Sequence, residues 1–173
     1  WGLIYLGLLA YAIYQALPAQ RQNPRLRSIG ALFLAGSVAN IAWILLWHYL
    51  LFPLTLIAML VLLGTLIAIY LRLRIGVSSP PPVERWVVNL PFSIYLGWIT
   101  VATIANVTAL LNYWGWNGFG VSEETWLIIV LAVALVVATL MALTRGDVAY
   151  LLVLAWAFAG IGVKHSAVTP VAT

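Results

Sequence analysis

Four long apolar stretches dominate this chain: residues 31–49, 53–71, 90–111 and 125–143 hold no Lys, Arg, Asp or Glu. At 1.5 Å per residue each reaches across the roughly 30 Å of hydrocarbon in a bilayer. In that medium every backbone amide needs a partner inside the protein, so such a run is confined to helix. Residues 1–17 and 148–163 are shorter runs of the same kind. The expected fold class is therefore all-α: a polytopic membrane helical bundle of about six transmembrane helices. Composition agrees, with 65% hydrophobic and 7% charged residues against about 45–50% and about 25% in soluble domains. Cysteine is absent, which excludes disulfides and thiolate metal sites.

The breaks between runs set the organisation. Pro18 closes the first span, and the polar segment 19–28 carries Arg21, Arg25 and Arg27. Ala31, Ala35 and Ala39 recur every four residues along the second span and favour close helix approach there. Pro53 suits a helix start, where no amide donor is needed. The third span is mostly branched aliphatic and is expected to be the most lipid-exposed. The sequence GVSSPPP, residues 76–82, reads as an extended cytoplasmic linker. It lies between three spans in residues 1–75 and three in residues 83–163, all within one integral membrane domain. Residues 83–89 are expected at the interface, with the fourth span starting near Pro91. Beyond Leu111 comes an aromatic, glycine-rich loop, with Ser122 as helix cap and Glu123 and Glu124 at the helix start. Arg145, Gly146 and Asp147 form the next turn, and residues 164–173 a polar tail. The chain opens on Trp1, already apolar and without a methionine, so further residues upstream are expected.

Seven of the eight basic residues fall in the loops after spans one, three and five. By the positive-inside rule those loops are cytoplasmic. The expected location is the inner (plasma) membrane, crossed several times. Trp114, Trp116 and Trp126 gather at the outer face and Trp86 at the inner one, as interfacial belts do.

No charged residue sits inside a span, which argues against proton relays and voltage sensors. The four acids all lie near loops, so paired-carboxylate catalysis and carboxylate-bound metals are not expected. No nucleophile stands out either, and an enzyme is the third choice behind a binding protein and a structural one. His48, near the outer end of span two, is either an interfacial histidine beside Trp47 and Tyr49 or an axial ligand for haem or chlorophyll.

The polar groups at depth are amides. Trp98, Ala102 and Asn106 stack on one face at i+4 steps, and Asn40 shares a face with Trp43 and Trp47. Two readings stay open: the amides bond across the bundle and the indoles fill its core, or the two faces hold a planar apolar ligand. In both, spans two and four are expected to pack together with Asn40, Trp43, Trp98 and Asn106 turned inward. Ala102 is expected to leave the gap.

These residues resemble the tryptophan-rich sensory protein family, which includes the mitochondrial translocator protein. Trp1 and Tyr5 echo its W-x-x-L-Y pattern, and Asn40 and Trp43 match its L-N-x-x-W. Tyr95, Trp98, Ala102 and Asn106 match P-Y-x-x-W followed by Ala and Asn at +4 and +8. The order holds from Trp1 to Asn106. Ile94 stands where the family has proline, and Trp47 and His48 replace a phenylalanine pair. The family's first span is expected upstream of Trp1, and the last two helices extend past its usual end.

The resemblance implies a ligand-binding bundle that takes tetrapyrroles, sterol-like molecules or other hydrophobic compounds. It makes Trp1, Tyr5, Asn40, Trp43, Tyr95, Trp98, Ala102 and Asn106 candidate ligand-binding residues. Porphyrin, haem or bacteriochlorophyll would be a ligand and not a required cofactor. In bacteria the family is linked to tetrapyrrole and photosynthesis regulation, often as a homodimer. The expected function is thus sensory or transport, with membrane lipid and a hydrophobic small molecule as partners and no nucleic acid. The alternative is an accessory subunit of a larger complex, such as a photosynthetic reaction centre or light-harvesting complex.

Overall fold

A computed structural model describes residues 1–166, apart from the side chains of 123, 124 and 164–166. The tail expected from Lys164 onward lies, past Ser166, outside the described residues. Six long helices carry the chain: α1 (Gly2–Ala16), α2 (Gly30–His48), α3 (Phe52–Arg72), α4 (Leu90–Tyr113), α5 (Glu123–Arg145) and α6 (Val148–Ser166). By length and composition α2, α3, α4 and α5 are able to cross a membrane, while α1 and α6 are shorter apolar helices. The protein is an all-helical, multi-pass membrane bundle.

Local chemistry sets most of the ends. Pro53 occupies the first turn of α3. Ser122 caps α5, its hydroxyl accepting from the Thr125 amide, and Gly146 ends that helix in the left-handed region at φ 58°. Such a conformation carries little penalty only for glycine.

The start of α4 departs from expectation. Residues 83–89 are not a separate interfacial segment, because a turn at Pro82–Glu84 and a π-helical turn at Arg85–Asn89 run straight into α4. A network at that junction explains the extension. Buried Glu84 receives the Arg25 guanidinium at 2.6 Å and the Asn23 amide at 2.7 Å. Arg25 also donates to the Leu73 carbonyl at 2.7 Å and to Asn89 Oδ1 at 2.8 Å. The first loop, the end of α3 and the wide turn before α4 are thereby joined.

Helix packing corrects three further expectations. Far from being the most lipid-exposed span, α3 lies between α2 and α4 and buries Thr55, Met59, Leu62, Leu66 and Ile69. Spans two and four therefore do not pack together directly along their length; α3 intervenes. The helix that buries least is α5. On α2 the close approach is not made by Ala31 and Ala35, which are exposed, but by the face of Gly36, Ala39 and Asn40. A Cβ on Gly36 would stand 2.9 Å from Thr65 Oγ1, so glycine is needed there.

The hub is α4, with α3, α6 and α1 all against it. A Cβ on Gly7 would stand 2.9 Å from Pro91 Cβ, which measures how closely α1 comes. At the start of α6, buried Asp147 accepts from the Tyr70 hydroxyl at 2.8 Å and Ser93 Oγ at 2.6 Å, pinning α6 to α3 and α4. These contacts, with those of Arg25, gather all three arginine-bearing loops at one end of the bundle.

Candidate functional site

Between α1, α2, α3 and α4 lies a cavity of about 330 Å³. Two aromatic clusters bound it along the bundle. Toward the arginine-rich end, Tyr11 of α1 meets Phe33 of α2 and Phe92 of α4 edge-on, with ring centroids 4.9 and 5.0 Å apart. Toward the other end, Trp1 stacks on Tyr5 at 5.5 Å and sits 6.1 to 6.3 Å from Trp43, Tyr95 and Trp98. Rings of this size hold α1 off α2, while Gly36 draws α2 onto α3. The space between is what remains. Leu8, Leu62, Leu66 and Ile69 supply apolar wall, and exposed Leu9 and Ile41 lie where α1 and α2 part.

The candidate residues divide three ways. Tyr5, Asn40 and Tyr95 line the cavity. Trp1, Trp43 and Trp98 join Tyr5 and Tyr95 in the aromatic cluster at its end. Ala102 and Asn106 stand apart: Ala102 packs against the core, and the Asn106 amide donates to Thr55 Oγ1 at 3.2 Å. Ala102 therefore does not provide the gap, and Asn106 is a bundle-bridging amide. His48 is exposed at the C-terminal end of α2 with its ring edge-on to Tyr49, away from the cavity.

Asn40 differs from Asn106 in what it bonds. Its Oδ1 is buried and finds no donor, and the buried indole N–H groups of Trp43 and Trp98 find no acceptor. Leaving such a group unsatisfied costs about 1–3 kcal/mol. Among the described residues only the Tyr11 hydroxyl shares this condition. Three of the four orphaned atoms thus belong to candidate site residues: one acceptor and two donors. The cavity wall carries no carboxylate, amine, imidazole or guanidinium. It suits an uncharged, mostly apolar molecule able to make one or two hydrogen bonds.

The TSPO-like protein family matches residues 1–173, the whole chain. The chain belongs to this family. No curated protein and no solved structure matches it. In this TSPO-like protein the pattern residues Trp1, Tyr5, Trp43, Tyr95 and Trp98 converge although they come from three helices. Sequence reasoning missed the rest of the wall, which includes Leu8, Ala12, Phe33, Gly36, Ser37 and Phe92. One signal was present. Gly36 and Ser37 are small residues one turn before Asn40, on the face where a large neighbour would close the gap. It also missed Thr55, the partner that explains Asn106.

Proposed function

We propose that this TSPO-like protein binds a hydrophobic, tetrapyrrole-like ligand in the cavity between α1 and α4 and acts as a sensor or carrier of it. The cell's inner membrane is the proposed location, and the role is binding without catalysis. One observation carries the reading: an apolar cavity whose buried amide, Asn40, has a free acceptor, adjoining a cluster of indoles with free donors. A flat macrocycle stacks on indole faces, and its pyrrole N–H groups suit an amide oxygen. The volume lies at the low end of the roughly 300–1,000 Å³ of small-molecule sites, so a macrocycle needs the space between Leu9 and Ile41 as well. Titration of the detergent-purified full chain with protoporphyrin tests this. Saturable quenching of tryptophan emission with a shifted Soret band is expected, and an unshifted, unsaturable signal refutes it.

An accessory-subunit role is the second reading. It is favoured by α5, which buries so little within the chain. Co-purification with a stable membrane complex, together with no porphyrin binding, would select it.

A further inference from the structure

The arginine-rich end of the bundle is charged out of proportion to its acids. Arg21, Arg25, Arg27, Arg72, Arg74, Arg85 and Arg145 gather there with only Glu84 and Asp147, and both acids are buried. Glu84 is taken by Arg25, the one ion pair among the described residues. Asp147 is taken by Tyr70, Ser93 and the Tyr150 amide. Arg145 lies over the Tyr70 ring. Arg21, Arg27, Arg72, Arg74 and Arg85 are exposed without a carboxylate partner.

Two of these are brought together by the fold. Arg72, in the last turn of α3, donates from Nη1 to the Ser28 carbonyl at 2.5 Å. Arg27 immediately precedes that serine. The Arg72 side chain thus reaches the backbone next to Arg27, and neither arginine has a carboxylate partner among the described residues, so two uncompensated cations share one edge of the bundle and attract an anion there. One hydrogen bond uses little of Arg72's five-donor fork, and such forks match phosphate oxygens in pairs.

We propose that Arg27 and Arg72 form a binding site for the phosphodiester headgroup of an anionic phospholipid in the leaflet at this end. The lipid source is favoured over a soluble phosphate by position, because both residues flank apolar helices at headgroup level. General attraction to an anionic surface is worth about fivefold per arginine. A paired site exceeds that increment.

The test uses native mass spectrometry of the detergent-solubilised full chain titrated with phosphatidylglycerol or phosphatidylcholine. Phosphatidylglycerol should bind preferentially, and Arg27→Gln with Arg72→Gln should lower its affinity on the order of a hundredfold, beyond the roughly 25-fold that the loss of two diffuse charges would give. Arg85→Gln removes one exposed charge elsewhere on the same end and should change it about fivefold or less. If loss of the Ser28 contact prevents folding of the double variant, Arg27→Gln alone carries the comparison and should still exceed Arg85→Gln. Equal affinity for the two lipids overturns the proposal. An Arg85→Gln effect as large as that of Arg27→Gln overturns it in favour of a diffuse field. Displacement of the lipid by millimolar inorganic phosphate overturns it in favour of a soluble anion.

Discussion

Asn40 and Asn106 are the same side chain on similar Trp-bearing stripes, yet their surroundings give them opposite roles. Asn106 is satisfied by Thr55 across the α3–α4 contact, so its amide serves the fold. Thr55→Val leaves that buried amide without its partner. We expect a loss of roughly 0.5–2 kcal/mol, the range for interhelical hydrogen bonds in membranes, read from unfolding in mixed detergent. Asn40 already has an unpaired oxygen, so Asn40→Leu should leave stability unchanged or slightly raised while weakening porphyrin binding several-fold. The two measurements dissociate a structural amide from a ligand-binding one. Neither assignment was legible from spacing, since both residues sit three or eight positions from a tryptophan. Only the neighbouring helix distinguishes them.

Among the elements, the entrance to α4 shows what a local network does to a helix boundary. Glu84 is buried and held by Arg25 and Asn23, and the π-helical turn that follows presents Asn89 to the same guanidinium. Glu84→Ala strands the Arg25 charge and should destabilise by roughly 2 kcal/mol or more, less than a fully buried pair because Arg25 keeps some contact with water. Replacing both, as Arg25→Met with Glu84→Leu, should cost less than the sum of the single changes in a double-mutant cycle. Helix existence was legible because length and the absence of charge identify a span, and Ser122 and Gly146 mark ends by local chemistry. Which span lies in the centre was not. In lipid the buried and exposed faces of a helix are both apolar, so hydropathy does not tell them apart. The aliphatic run of α3 therefore read as lipid-facing, whereas Met59, Leu62 and Ile69 are among the most buried residues of the chain.

At the scale of the whole molecule, charge and cavity define the two ends. Contacts from Arg25 to Leu73 and Glu84, and from Tyr70 to Asp147, place the arginine-bearing loops together as the positive-inside rule anticipates. The chain has no cysteine, so single cysteines at Ser79 and Ser122 report sidedness cleanly. An impermeant thiol reagent added to intact cells should label position 122 and spare position 79. Labelling of position 79 under those conditions contradicts the orientation. The aromatic part of the site was legible as a pattern of Trp, Tyr and Asn, but the cavity it adjoins was not, because its wall is set by Gly36, Phe33 and Phe92 packing from separate helices.

Ala12→Phe puts a ring into that wall from α1, with Ile57→Ala on the exposed face of α3 as control. Porphyrin affinity of the purified full chains is the most direct measurement of the central claim. The account predicts a loss of about tenfold or more for Ala12→Phe, equivalent to about 1.4 kcal/mol, with the control unchanged. Equal affinity in wild type, Ala12→Phe and Ile57→Ala, with all three folded, would contradict ligand binding in the cavity.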